Sequence, residues 1–492
     1  MDFAQMNLIA ALPEIFLLSL LGVVLLVDLF LKDEQRYITH FLTQLGLLAA
    51  VGLQVYAYTH ATAHSEEAFG GMFINDGIAQ FAKIVMYIVV FLLFAYSRRY
   101  LQDNKLYKGE FYTLTLFALL GMCVMVSSQN FILLYIGLEL LSLSLYALIA
   151  LRNNDTFASE AALKYFVLGS LASGMLLYGM SMVYGGTGGH LGLNEVFAAL
   201  YEKQANPVLI KLGLVFMVVG IAFKFGAVPF HMWVPDVYQG SPTAVTALVA
   251  SAPKIAATVF AFRILIGGMG ANIADWSGML TILAVASLLV GNLAAIMQTN
   301  IKRMLAYSTV SHMGFVLLAF IGNSFSGNGS GSLNGISAAL FYALTYAIMS
   351  LVAFGVLLAL SEKDKECNDI ADLAGLNRKH PWYAFIMLLA MFSMAGIPPL
   401  MGFAAKFYVV VALLEQGLVP LAVFAMIMSL IGAFYYLRVV KTMYFDELPE
   451  NGGANENLGF AAYALLSVNA LILLVLGIIP SQIMELCNKI LH

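Results

Sequence analysis

Four ionisable side chains stand in stretches of this sequence that are otherwise apolar. Lys224, Lys254 and Lys406 lie deep within hydrophobic runs, and Glu139 is the only charge in FILLYIGLELLSLSLYALIA. An ammonium at the centre of a bilayer costs about 2.5–3.5 kcal/mol on insertion scales. All three cations are lysines, and a buried ammonium can shed its proton while a guanidinium practically cannot. The chemistry open to such a set is stepwise proton transfer. The plainer alternative for Glu139 is a salt bridge that only locks helices together.

Helix breakers accompany the three lysines. Lys224 precedes Gly226 and Pro229 in GIAFKFGAVPFHMWVPDVYQG, Lys254 follows Pro253 in ALVASAPKIAATVF, and Lys406 follows Gly396, Pro398, Pro399 and Gly402 in MAGIPPLMGFAAK. Such clusters beside an ionisable residue point to discontinuous helices whose loose backbone ends face a hydrated, protein-lined cavity. His231 follows the first break and is a weaker candidate. In NIKRMLAYSTVSHMGFVLLAF, Ser308, Thr309, Ser311 and His312 add polar groups between the spans of Lys254 and Lys406. His312 is read either as a relay or as hydrogen-bonded packing. Lys164, in EAALKYFVLGS, is a weaker candidate for an entry path from the inner side.

The elements that must hold these groups follow from composition. The 492 residues are 61% hydrophobic and 11% charged, with mean hydropathy +0.87, too apolar for a soluble surface. The fold expected is an all-α polytopic membrane protein. Cys123, Cys367 and Cys487 lie far apart, and the eight histidines show no paired ligand spacing. That argues against an iron–sulfur cluster, a zinc knuckle, a disulfide framework or haem, so no cofactor or metal is expected in this chain. The first span follows no Lys or Arg and no A-x-A-like cleavage site, and reads as a retained helix.

Fourteen spans are expected: 7–31, 38–60, 78–97, 110–128, 130–151, 158–184, 206–229, 240–266, 275–298, 301–321, 333–361, 380–416 (broken), 418–442 and 458–481. Fifteen basic residues then share one face: Lys32, Arg36, Arg98, Arg99, Lys105, Lys108, Arg152, Lys302, Arg303, Lys363, Lys365, Arg378, Lys379, Arg438 and Lys441. Only Lys203, Arg263 and Lys489 lie on the other. The positive-inside rule puts both termini on the outer side. Lys83 and Lys211 are expected to snorkel from span ends, and Glu14 and Asp28 to be interfacial. Spans 7 and 12 are the most strongly broken. They are five apart, an odd number, so spans 4–8 and 9–13 would be two inverted five-helix repeats, as alternating access to a midplane site needs. The division expected is 1–109 (three added helices), 110–267 and 268–445 (the repeats), and 446–492 (a cytoplasmic loop and span 14). The acidic stretch DELPENGGANE in that loop is assigned no role.

KFGAVPFHMWVPDVYQGSPTAVTALVAS, NIKRMLAYSTVSHMGF and MAGIPPLMGFAAKFY resemble the best-known signatures of the antiporter-like subunits of respiratory complex I, which are related to subunits of multi-chain cation/proton antiporters. The likeness covers nearly the whole chain. LLYIGLELLSLSLYALIAL and the length resemble a shorter member, without the lateral helix of the longest one. The resemblance implies fourteen helices with inverted repeats and a polar axis, on which Glu139, Lys224, Lys254 and Lys406 match the functional positions and His312 fits the histidine of span 10. Pro253 departs from the family pattern. Also implied are a proton-translocating role in a bacterial inner membrane, with NADH, FMN, iron–sulfur clusters and quinone used elsewhere in the complex. Partners would be other membrane subunits, including a second antiporter-like subunit and small ones, together with the lipid bilayer; nucleic acid is not expected. In that setting Glu139 would form an ion pair with Lys224. The rival readings are a sodium/proton antiporter subunit, a structural scaffold and a quinone-binding chain.

Overall fold

The computed structural model describes residues 6–60, 65–152, 155–323, 334–363, 366–448 and 458–491. Its helices, in chain order, are α1 (Leu12–Leu29), α2 (Tyr37–His60), α3 (Gly77–Asp103), α4 (Gly109–Val126), α5 (Phe131–Ile149), α6 (Thr156–Gly186) and α7 (Leu193–Tyr201). They continue with α8 (Pro207–Phe225), α9 (Trp233–Gly240), α10 (Thr243–Ala250), α11 (Ala252–Phe262), α12 (Ile273–Ile296), α13 (Ile301–Ile321) and α14 (Asn334–Leu360). The last are α15 (Leu376–Lys379), α16 (Pro381–Ala395), α17 (Met401–Glu415), α18 (Val419–Phe445), α19 (Phe460–Ile478) and α20 (Pro480–Lys489). Thirteen helical stretches among the described residues are long and apolar enough to cross a membrane, the pair α10–α11 counting as one. The pair α16–α17 adds two 15-residue pieces. Each is about 22 Å long at 1.5 Å per residue, short of a hydrocarbon core about 30 Å thick.

Local chemistry sets the ends. Asp76, Asn130, Asp155, Asn206 and Asn300 accept hydrogen bonds from free amides in the first turns of α3, α5, α6, α8 and α13, the role their short polar side chains fill best. Pro207 and Pro381 stand in first turns, where a missing N–H costs nothing. Glycine lets two helix pairs touch backbone to backbone. A Cβ on Gly121 of α4 would fall 2.6 Å from the Leu141 nitrogen of α5, and one on Gly291 of α12 would fall 2.8 Å from the Ser311 nitrogen of α13. The helices α10, α11, α13 and α14 are almost wholly buried and form the centre.

Several details differ from the sequence reading. Span 8 is interrupted at Ser251 (φ −113°, ψ −94°), and α11 restarts so that Pro253 falls in its first turn. The proline ring would otherwise collide with a carbonyl of the preceding turn. The break answers the departure at Pro253. A short antiparallel hairpin, β1 (Ser65–Ala68) with β2 (Phe73–Asp76), links α2 to α3, and the amphipathic α7 and α20 lie outside the apolar helices. Most of the acidic stretch 446–456 lies outside the described residues.

Two groups of charges tie the ends of the bundle. Glu14 and Lys83, read as interfacial and snorkelling, form a buried pair with Nζ 2.5 Å from Oε1 and the Lys83 side chain 0% exposed. Lys83 also donates to Asn75 at 3.2 Å. The hairpin covers this end, with the Phe73 ring 5.2 Å from the Lys83 ammonium, so neither side chain reaches water. Beside it Arg263 grips Asp76 with two hydrogen bonds of 2.6 and 2.7 Å. At the opposite end Glu366 receives Arg152 at 2.5 Å, Lys302 at 2.9 Å and Thr243 at 3.0 Å, and Tyr100 as well. Lys302 and Arg152 hold its carboxyl down to about 2 although burial opposes this. Lys211, by contrast, does reach the surface, 3.5 Å from Asp275.

Breaking a buried pair leaves an uncompensated charge, a loss of about 3–5 kcal/mol, whereas replacing both partners by apolar groups is close to neutral. Lys83→Met should therefore lower the thermal unfolding midpoint of the purified protein, and Glu14→Leu/Lys83→Met should recover most of it. Because the folded-state value of Glu366 is depressed, its stabilisation is complete above the ordinary carboxyl value near 4.5 and is lost as pH falls toward 2. Glu366→Gln should lower the midpoint at pH 7 and flatten its fall across that window.

Candidate functional site

The two broken helices are built alike. In each, the first half ends on a left-handed glycine, Gly226 (φ +73°) after α8 and Gly396 (φ +88°) after α16. A proline follows three residues later, Pro229 or Pro399, and the helix then resumes as α9 or α17. Only glycine takes that backbone conformation without cost. The last carbonyls of each first half have no partner within the helix. A lysine supplies one. Lys254, from α11, donates to the carbonyl oxygen of Lys224 at 3.3 Å, and its ammonium lies 5.1 Å from the Trp233 ring centroid. Lys406, from α17, donates to the carbonyls of Met394 and Ala395, each at 2.9 Å, and to the Ser429 hydroxyl at 2.8 Å. A cation at a helix C-terminus is favoured by the aligned peptide dipoles.

Lys224 itself turns the other way and donates to the Ser142 hydroxyl of α5 at 2.6 Å. Ser142 stands three residues from Glu139. The expected direct Glu139–Lys224 ion pair is not formed among the described residues. Glu139 instead lies between Ile136 and Leu143, which are 53% and 56% exposed, on the outer stripe of α5. One carboxylate oxygen, Oε1, is enclosed without a hydrogen-bond partner. The helical register puts positions 136, 139 and 143 on one face, while the hydroxyl that meets Lys224 is that of Ser142.

Between the two capped breaks runs a set of buried hydroxyls. His312 of α13 has Tyr342 at 2.7 Å on Nδ1 and Tyr436 at 3.0 Å on Nε2, and Tyr436 bonds Ser308 in turn. Thr309 bonds Tyr346 at 2.6 Å and Tyr238 at 3.4 Å. His312 is thus engaged at both ring nitrogens. Lys164 lies apart from the three lysines, bonded to Asp236 and Glu160, each at 2.8 Å, while Asp236 also holds Arg303 at 2.7 Å. They line a cavity of about 390 Å³ that also reaches Lys302 and Glu366. His231 is in the loop between α8 and α9, with Nδ1 enclosed and unbonded. Among the described residues no cluster of three His, Cys, Asp or Glu could hold a metal ion.

The sequence reading missed Ser142 and Ser429, which hold Lys224 and Lys406, and Tyr238, Tyr342, Tyr346 and Tyr436. Tyr342 and Tyr346 are four apart in FYALTYAIMS, a one-face spacing that carried a signal. The serines carried none, since their role depends on which helix lies opposite.

Comparison with known proteins gives the arrangement a context. Residues 128–432 match the family described as NADH:quinone oxidoreductase/Mrp antiporter, TM. The proteins named NADH-quinone oxidoreductase subunit N from Neisseria gonorrhoeae and Laribacter hongkongensis are 59% and 54% identical. The alignments cover 100% and 99% of this chain and 99% and 98% of those proteins. A chain of respiratory complex I from Thermus thermophilus superposes with TM-score 0.79 at 31% identity, over 96% of this chain and 98% of that one. A chain of the Mrp complex from Dietzia sp. shares the fold, with TM-score 0.83 at 19% identity, over 99% and 97%. The chain therefore belongs to the NADH:quinone oxidoreductase/Mrp antiporter family, as one of the antiporter-like membrane subunits of respiratory complex I.

Proposed function

We propose that this chain translocates protons as a non-redox membrane subunit of a bacterial NADH:quinone oxidoreductase, through Glu139, Lys224, Lys254, His312 and Lys406. The observation that carries the reading is the capping of both helix breaks by an amine, Lys254 on the Lys224 carbonyl and Lys406 on those of Met394 and Ala395. Such an amine exchanges its proton with bridging water while the backbone carbonyls keep it in position. The Lys164–Asp236–Arg303 cavity is the entry from the inner side. From there the proton passes to Lys224, then Lys254, then by waters and the His312 tyrosines to Lys406 and the outer side. His231, beside the first break, is a secondary group.

The fourteen crossings count α16–α17 as one. The two inverted repeats are supported by the matched breaks at Gly226–Pro229 and Gly396–Pro399, and by the matched close contacts of Gly121 and Gly291 in spans 4–5 and 9–10. The units are then 1–109, 110–267, 268–445 and 446–492. Both termini face outward in the inner membrane, as the asymmetry of basic residues favours. Redox cofactors and quinone belong to other subunits, which supply the work: moving one charge against 100 mV costs about 2.3 kcal/mol. Glu139, on the outer stripe of α5, is where a neighbouring membrane subunit exerts its influence. A charge brought near or withdrawn there shifts the balance at Lys224, which is held by Ser142 of the same helix α5, a reciprocal linkage.

The alternative, a sodium/proton antiporter subunit, has the same fold behind it but only at 19% identity. Purification in mild detergent separates the two: flavin and iron–sulfur subunits should come with this chain, and their absence alongside antiporter subunits would overturn the assignment. Within the assembled complex, Lys224→Ala and Glu139→Ala should each lower proton pumping in vesicles by about 10²-fold, the lower end of what one positioned proton-transfer group is worth. Normal pumping by both variants contradicts the relay. Lys406→Arg preserves the cap on Met394 and Ala395 but fixes the charge, so it too should impair turnover. Unchanged turnover would make Lys406 a counter-ion only.

A further inference from the structure

On the face that carries most of the lysines and arginines, the start of α2, the end of α3 and the start of α19 enclose a slot of about 470 Å³. Its walls are mainly apolar: Leu45, Leu48, Phe91 and Leu465 line it, with His40 and Gln44 beside them, and Leu45 and Leu48 are 65% and 51% exposed on the outside of the bundle. Arg98 and Arg99 stand at its mouth, with the Arg98 guanidinium 5.2 Å from the Phe41 ring centroid. Arg98 and Gln102 also line a second cavity, of about 540 Å³, whose other walls include Arg36, Lys105 and Lys108. The slot and this basin thus adjoin at Arg98 and Gln102.

Charge is unbalanced there. Five basic side chains line the two cavities, against Asp33 and Glu34. Arg36 is 3.1 Å from Asp33. Arg98, Arg99, Lys105 and Lys108 have no carboxylate within ion-pair distance among the described residues. An apolar slot open to the hydrocarbon, ending in unneutralised arginines at the level where spans begin and end, fits one kind of molecule. We infer that this crevice between α2, α3 and α19 binds an anionic phospholipid, acyl chain in the slot, phosphate at Arg98 and Arg99, and headgroup toward Lys105 and Lys108. A free phosphate leaves the slot empty, and a zwitterionic lipid leaves the basin unneutralised. The bound lipid joins the three-helix addition to the last apolar helix, away from the lysine relay.

The test uses the assembled complex in phosphatidylcholine nanodiscs containing a minor fraction of phosphatidylglycerol with a diazirine on its acyl chain. After irradiation, adducts are mapped by mass spectrometry. They should fall on Leu45, Leu48 and Leu465, and Arg98→Gln and Arg99→Gln should each reduce them about fivefold, the worth of one basic residue at an anionic membrane surface. Leu45→Trp, which keeps every charge and narrows the slot, should reduce them as well, and it serves if the arginine variants fail to assemble. A phosphatidylcholine probe should label these positions weakly. Equal labelling by the two lipids, labelling indifferent to the arginines and to Leu45→Trp, or photo-crosslinks from Leu45 to a neighbouring subunit in place of lipid would each overturn the inference.

Discussion

A broken helix in a bilayer leaves carbonyls that must find a donor, and in this chain the donors are amines. Backbone groups with no partner in hydrocarbon cost several kcal/mol each, so a break survives only where something polar meets it. Lys254 meets the end of α8, and Lys406 meets the end of α16. The dependence runs both ways. An ammonium alone at that depth is expensive, and the carbonyl end of a helix is among the few neutral partners that suit it. Neither the breaks nor the lysines make sense without the other. The lysines of both junctions meet the centre of the bundle, where α10, α11, α13 and α14 are almost wholly buried.

Much of this was legible in the sequence. Apolar runs located the helices to within a few residues, because length and hydropathy alone decide what crosses a membrane. Gly226 and Gly396, each with a proline three residues on, marked the breaks, because glycine takes the left-handed turn and proline cannot continue the ladder of amide donors. The lysines were conspicuous because a charge in an apolar run is costly. What could not be read was which group each amine would touch. Capping of the Lys224 carbonyl by Lys254, or of Met394 and Ala395 by Lys406, depends on how α8 meets α11 and how α16 meets α17. Spacing along the chain does not encode that.

The failures are equally physical. The family resemblance implies a Glu139–Lys224 pair, but Glu139 stands between the exposed Ile136 and Leu143 of α5 and Lys224 meets Ser142 instead. Glu14 is expected to be interfacial and Lys83 to snorkel, because both lie near span ends. The hairpin β1–β2 covers that end, and the two close into a buried pair. In both cases the deciding feature was a neighbouring element. A charge at the edge of one helix was judged by the wrong surroundings.

The central claim is that the amines at the two breaks are linked by water and tyrosine hydroxyls into one path for protons. A density map of the assembled complex in a lipid environment, at a resolution that shows ordered water, tests this most directly. The account predicts Lys254 on the α8 carbonyl end, Lys406 on the α16 end, and ordered waters joining Lys224, Lys254, the His312–Tyr342–Tyr436 group and Lys406. Amines turned to lipid, or a dry apolar gap between Lys254 and His312 too wide for hydrogen-bonded solvent, would contradict it.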